Sequence, residues 1–159
     1  MKQASLVITI RDGKLLLGRK QGDPEIGAGT VNGPGGKREP VDLTMLDCAL
    51  RETREELAIE LDRANTKKVA IITFFAGGKP SFEVHFYRAD RFSGEPRETE
   101  AMIPEWHPLG NIPYGRMLEA DSHFFPRLLA GETFNANVYY REKAKGFEGI
   151  ELFPFLDHD

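Results

Sequence analysis

Asn32-Gly33-Pro34-Gly35-Gly36-Lys37 and, further on, Arg51-Glu52-Thr53-Arg54-Glu55-Glu56 are the two ends of the stretch on which the fold turns. The first end is too rich in glycine and proline for a helix or a central strand. The second has few breakers. Leu46, Leu50, Thr53 and Leu57 fall at 3.6-residue spacing on one face, which predicts a helix over Asp42 to Leu61 with Thr53 as a polar interruption. At about 100° per residue, Glu52, Glu55 and Glu56 stand at i, i+3 and i+4 and share a second face, roughly 130° from the apolar stripe.

Three like charges on one face repel unless a cation sits among them. Hard divalent ions take oxygen ligands, typically one or two carboxylates with substrate phosphates and water. A glutamate-rich face is by itself commonly solvated surface, and Arg51 or Arg54 can satisfy it by helical ion pairs. The loop alters the balance. Closely spaced glycines let backbone approach a phosphate or a metal, and Lys37 adds a point charge suited to phosphate.

Outward from this stretch, Ser5 to Ile10 and Lys14 to Arg19 read as strands joined by an Asp12-Gly13 hairpin turn. A loop covers Gly22 to Gly36. Beyond the helix, Val69 to Ala76 and Ser81 to Ala89 are strand-like across Gly77-Gly78-Lys79-Pro80. In the second of these, Phe82, Val84 and Phe86 alternate with a more polar Glu83, His85 and Tyr87. Arg91 to Glu105 is polar and turn-rich, and Trp106 to Leu109 is a short strand. Tyr114 to Ala130 holds one or two short helices, with Asp121 or Ser122 as N-cap and Gly131 as stop. Phe134 to Arg141 and Phe147 to Phe153 suggest a closing hairpin. With no repeat or linker, residues 1–159 are expected to form a single domain of mixed α/β (α+β) class, a β-sheet structure sandwiched between helices.

Composition sets outer bounds. At 159 residues, 40% hydrophobic and 29% charged, the chain is globular. A net charge of -4, from 25 acids and 21 bases, speaks against a partner that is a nucleic-acid polymer. Cys48 is the single cysteine, so no intrachain disulfide forms. The uncharged, largely apolar run Val69 to Gly78 is about half the ~20 residues a membrane helix needs. A cytoplasmic protein without a membrane partner is expected, as monomer or homodimer. His85, His107, His123 and His158 show no metal-ligand spacing, and His85 is expected on a sheet face. Phe74, Phe75, Phe82, Phe86, Phe124 and Phe125 are expected in the core, one or two of them walling a pocket.

The paired motifs resemble the signature of the Nudix hydrolases, Gly-x5-Glu-x7-Arg-Glu-apolar-x-Glu-Glu-x-Gly-apolar. Gly36 opens it and Arg51-Glu52 with Glu55-Glu56 closes it. Asp42 stands where the pattern has its first Glu, and the segment to Arg51 is one residue longer. Thr53 replaces an apolar residue, and Ala58 replaces the glycine before Ile59. The resemblance reaches from about Leu6 to Leu129. Gly27-Ala28-Gly29-Thr30-Val31-Asn32-Gly33, Ile112-Pro113-Tyr114 and Asp121-Ser122-His123-Phe124-Phe125-Pro126 are similar to the branch that hydrolyses oxidised purine nucleoside triphosphates.

That resemblance implies attack of water on a substrate phosphorus, giving a monophosphate and pyrophosphate. It implies Mg²⁺ or Mn²⁺ held by Glu52, Glu55 and Glu56 with the Gly35 carbonyl. A further acid would come from the Glu98-Thr99-Glu100 loop. Glu100 is its candidate, although the branch's loop acid falls at Ala101. Arg51 would orient Glu55. Asn32 and Asp121 would read the purine edge, and Lys20 and Lys37 would line the nucleotide site. Ala120 replaces the first of two adjacent acids in that branch, and Val31 and Leu118 stand where it often has tryptophans, so selectivity for oxidised bases is expected to be weaker. The rival readings are another nucleoside diphosphate derivative as substrate, a nucleotide-binding protein of low activity, or an acidic scaffold.

Overall fold

The computed structural model describes residues 1–21 and 30–159; the Gly27-Ala28-Gly29 part of the loop motif lies outside them. Two sheets carry the molecule. In the first, β1 (Lys2–Ile8), β7 (Lys79–Arg88), β6 (Lys67–Ala76), β10 (Phe134–Glu142) and β11 (Lys145–Phe153) lie side by side in that order. β1 pairs with β7 and β10 with β6 in parallel; the other two pairings are antiparallel. In the second sheet, β3 (Lys14–Lys20) is flanked by β2 (Ile10–Arg11), β4 (Val31–Asn32) and β9 (Met102–Pro108). A small ribbon joins β5 (Glu60–Leu61) to β8 (Phe92–Ser93).

The expected hairpin at Asp12-Gly13 is present, but only Ile10 and Arg11 form its first arm. Residues 2–8 leave it for the other sheet, and the chain thereby links the two. Alternation then feeds two cores at once. Leu6, Ile8, Leu15 and Leu17 join the core packed on α2 (Asp121–Leu129), whereas Val7 and Leu16 join the one packed on α1 (Met45–Leu57). The sheets are thus sandwiched between the two helices. Each fully buried aliphatic side chain of these cores contributes about 1.5–3 kcal/mol.

α1 is shorter than the Asp42 to Leu61 expectation. Thr44 and Asp47 form a reciprocal capping box that starts the helix at Met45. It stops because Ala58 adopts a left-handed conformation, φ 61°, with its N–H on the Arg54 carbonyl. Thr53 does not break the buried stripe, since its hydroxyl donates to the Ala49 carbonyl at 2.8 Å. In α2 the N-cap is Ala120 rather than Asp121 or Ser122, and Asp121 is the first helical residue. The Tyr140 hydroxyl accepts the Ala120 N–H at 2.8 Å and anchors this helix start. Gly131, φ 89°, follows as the stop.

Two strand expectations change. β9 begins at Met102, inside the stretch expected to be turns; its Pro104 is tolerated because β9 lies at the edge, paired only with β3 among the described residues. Gly18 of β3 packs against Met102, whose sulfur would lie 1.8 Å from a Cβ there. On β7 the Glu83-His85-Tyr87 face is as buried as the Phe82-Val84-Phe86 face, because α1 and the C-terminal residues cover it. Among the described residues no helix is long and apolar enough to cross a membrane.

Candidate active site

Residues 34–38 run alongside β1. Ser5 N–H donates to the Gly36 carbonyl at 2.9 Å, Val7 N–H to the Pro34 carbonyl at 2.8 Å, and Arg38 N–H to the Gln3 carbonyl at 2.9 Å. So tight an approach demands glycine: a Cβ on Gly35 would lie 1.9 Å from the Ser5 carbonyl oxygen. A Cβ on Gly36 would meet the Glu52 carboxylate at 2.5 Å. The glycines bring the loop backbone against the acidic face of α1, where the Gly35 N–H donates to Glu56 Oε1 at 2.6 Å.

Glu56 is buried and also pairs with Lys20, Nζ to Oε2 at 3.0 Å. Burial pushes its carboxyl above the usual range, and Lys20 and the Gly35 amide oppose that shift. Glu52 is likewise raised by burial, with Arg51 opposing. Arg51 is the organiser of this face. Its Nη1 reaches Glu52 at 2.9 Å and Glu55 at 3.1 Å, the expected i, i+4 contact included. Its opposite edge binds Asp42, Nε to Oδ1 at 2.9 Å and Nη2 to Oδ2 at 2.8 Å. Asp42 is buried, and the Arg51 hydrogen bonds hold its carboxyl below the usual range.

A cavity of about 480 Å³ opens beside this face, within the usual range for small-molecule sites. Lys20, Asn32, Gly35, Lys37, Glu52, Glu56 and Asp121 all border it. Glu55 does not; it is exposed and paired with Arg51. Glu100 is exposed and also off the cavity wall, whereas Ala101 lies on it. Thr99 ties that loop to the end of β3 and to α1: its carbonyl accepts from the Gln21 side-chain amide at 2.8 Å, and its hydroxyl donates to the Glu56 carbonyl at 2.7 Å. Asn32 accepts the Gly33 N–H at 2.9 Å.

Asp121 is the outlying acid. Only 4% exposed, it keeps Oδ2 without a hydrogen-bond partner among the described residues, and burial raises its carboxyl to about 7. Phe74, Phe82, Phe86 and Tyr140 supply apolar wall. Gln21, Tyr140, Lys143 and Ala144 were not anticipated at the cavity. The last three come from the closing hairpin, whose pairing with β6 has no local sequence signal.

The half-buried Glu52 and buried Glu56 carboxylates, with the Gly36 cradle in front of Glu52, form a hard oxygen set that suits a divalent cation. The same cavity carries aromatic wall from Phe74, Phe75, Phe82, Phe86 and Tyr140, and the Asp121 carboxyl that burial raises to about 7. Such a site can neutralise a polyphosphate at one end and hold a flat polar ring at the other.

The model of the NUDIX domain matches residues 1–128. The oxidized purine nucleoside triphosphate hydrolase of Danio rerio is 36% identical over 134 residues, covering 84% of this chain and 83% of the relative. Its Mus musculus counterpart is 35% identical over 140 residues, covering 87% and 86%. Among solved structures, a MutT protein from Bacillus halodurans superposes with a TM-score of 0.79 at 21% identity, over 96% of this chain and 97% of that one. That likeness shows the fold. A MutT NUDIX hydrolase from Burkholderia pseudomallei gives 0.60 at 29% identity, over 70% and 86%. With a domain match over most of its length and relatives more than a third identical, this chain belongs to the NUDIX family.

Proposed function

We propose that the protein hydrolyses a purine nucleoside triphosphate, the oxidised forms included, to the monophosphate and pyrophosphate, and so cleanses the nucleotide pool. The observation that carries this reading is the single cavity wall shared by Glu52, Glu56 and Asp121. The named activity of the two animal relatives supports it. We take residues 1–159 to act as one domain, since β10 and the turn after it line the same cavity. A cytoplasmic site of action goes with this substrate.

Glu52 and Glu56 would hold Mg²⁺ or Mn²⁺, joined by Glu55 and the Gly35 carbonyl. Bound there, the ion would supply charge neutralisation of the polyphosphate and acidify water. Arg51 keeps Glu52 and Glu55 aimed together, and Asp42 keeps Arg51 in place. Lys20 and Lys37 add positive charge along the phosphate path, as neighbours of the carboxylates on the cavity wall. One of Glu52, Glu55 and Glu56, with an oxygen left free of the ion, would accept the proton from the attacking water. Glu100 would need its loop to move before taking part.

At the other end, Asp121 in its neutral form donates a hydrogen bond and in its charged form accepts one, and Asn32 complements it. With Leu118 on the wall, stacking area is modest and base discrimination rests on these polar groups. The test is product analysis over a panel of ordinary and oxidised nucleoside triphosphates, a nucleotide sugar and a dinucleoside polyphosphate, with and without Mg²⁺. Pyrophosphate released from the purine triphosphates only with Mg²⁺ supports the reading; turnover confined to the other two classes refutes it.

A further inference from the structure

Away from the cavity, on the opposite face of β7, three potential ligands meet. Glu83 and His85 are two residues apart on the strand and therefore share a face. The C-terminal residues bring His158 onto the same spot. His85 Nε2 lies 2.7 Å from Glu83 Oε1, and His158 Nε2 lies 3.1 Å from Glu83 Oε2. The imidazole rings stand edge to face at 5.6 Å, and one donor atom from each of the three residues lies within 4.8 Å of the others.

We propose that Glu83, His85 and His158 form a site for a transition-metal dication of the zinc class, which clips the C-terminal residues to the back of the sheet. Two imidazoles and one carboxylate are ligands that zinc, cobalt and nickel favour, whereas magnesium prefers an all-oxygen set. Tetrahedral ligands at zinc distances stand roughly 3.3 Å from one another, and the three donors lie within 4.8 Å of each other, so small side-chain shifts would close them around an ion. Solvent reaches the cluster past His158, whose side chain is 52% exposed, leaving access for a metal and a water ligand.

His158 is presented by contacts that do not involve Glu83. The Asn135 amide donates to the Leu156 carbonyl at 2.9 Å, and Lys68 binds Asp157 at 2.7 Å and the His158 carbonyl at 2.9 Å. Asp159 accepts the Met45 N–H at 2.9 Å, at the first residue of α1. The Lys68 charge, which acts on His85, is countered by Asp157. His85 is fully buried with its Nδ1 unpartnered among the described residues, and Gln3 orients Glu83 at 3.1 Å. Burial lowers the His85 pKa and so favours the neutral ring that ligates metals. Burial alone would raise the Glu83 carboxyl, but hydrogen bonds from His85, Gln3 and His158 outweigh it and hold it at about 2. Metal bound here would couple the chain's end to the start of the helix that bears Glu52 and Glu56.

The site is independent of the hydrolytic reading. Its test uses the full chain, stripped with chelator and returned to saturating Mg²⁺ so that the carboxylates of α1 are occupied. Co²⁺ is then titrated and followed by visible absorption and calorimetry. The expected result is one equivalent of Co²⁺ with the intense bands of a nitrogen-containing, low-coordinate site, displaced by Zn²⁺, with a rise in Tm of roughly 5 °C at hundredfold excess. His158→Gln, at a half-exposed position, should weaken Co²⁺ binding at least about tenfold, and His158→Asp should recover part of it. Mg²⁺-dependent turnover should be unchanged in His158→Gln. Absence of Co²⁺ binding under saturating Mg²⁺, or equal affinity in His158→Gln, would overturn the proposal and leave the three groups as a hydrogen-bonded clasp.

Discussion

Asp42 shows how a displaced residue keeps its chemistry. Counted against the signature it is a shorter acid with an extra residue behind it, and neither composition nor spacing says whether it reaches the site. The turn in which Glu39 N–H donates to Asp42 Oδ2 brings it under Arg51, where it accepts both guanidinium bonds. Asp42→Ala would leave Arg51 buried without its main partner, at a cost of about 3–5 kcal/mol, with Glu52 and Glu55 less well aimed. Urea denaturation and kcat measured on the same variant check both effects. Asp121 offers a pH test. Its carboxyl, raised to about 7, holds a proton that the unfolded chain releases above about 4. Its contribution to stability is therefore full below about pH 4, falls as pH rises to about 7, and is flat beyond. Asp121→Asn removes that slope, so the gap between wild-type and variant urea midpoints should change between pH 4.5 and 7 and then hold constant. Parallel curves would argue that Asp121 titrates normally.

At the scale of the element, α1 was legible from the repeat of Leu46, Leu50 and Leu57 with the glutamates opposite, but its ends were not. Thr44 with Asp47 and the left-handed Ala58 decide them, and periodicity carries no information about either. Ala58 bears a Cβ where φ 61° favours glycine, so Ala58→Gly should stabilise the fold by about 1 kcal/mol, read as a raised Tm. Gly36→Ala acts in the opposite sense on function. Its Cβ would meet the tip of Glu52, a side chain that can swing aside. Stability should change little while kcat drops by about 100-fold, because a carboxylate displaced by an ångström no longer serves the reaction. A large loss of Tm instead would mean that the loop, not the carboxylate, gives way. β9 was hidden because Pro104 reads as a turn, and only its edge position reconciles the proline with a strand.

For the whole molecule, the class of fold and the acidic helix were readable because each rests on local periodicity. The crossing of residues 2–8 into a second sheet, the parallel docking of β10 on β6, and the burial of both faces of β7 depend on partners distant in sequence. The same is true of Tyr140 and Lys143 on the cavity wall and of the meeting of His158 with Glu83. The candidate site was legible in part: Glu52, Glu56, Lys20, Asn32, Lys37 and Asp121 converge on one cavity, while Glu55 and Glu100 are exposed and off its wall. That convergence makes one claim central, that carboxylates on the cavity wall drive Mg²⁺-dependent cleavage of a triphosphate. The direct measurement is pyrophosphate release from oxidised dGTP at saturating Mg²⁺ by the wild-type chain, Glu52→Gln and Glu56→Gln. The wild type should release pyrophosphate only with Mg²⁺, and kcat should fall at least about 100-fold in both variants with their folds intact; wild-type turnover retained in both would contradict this mechanism.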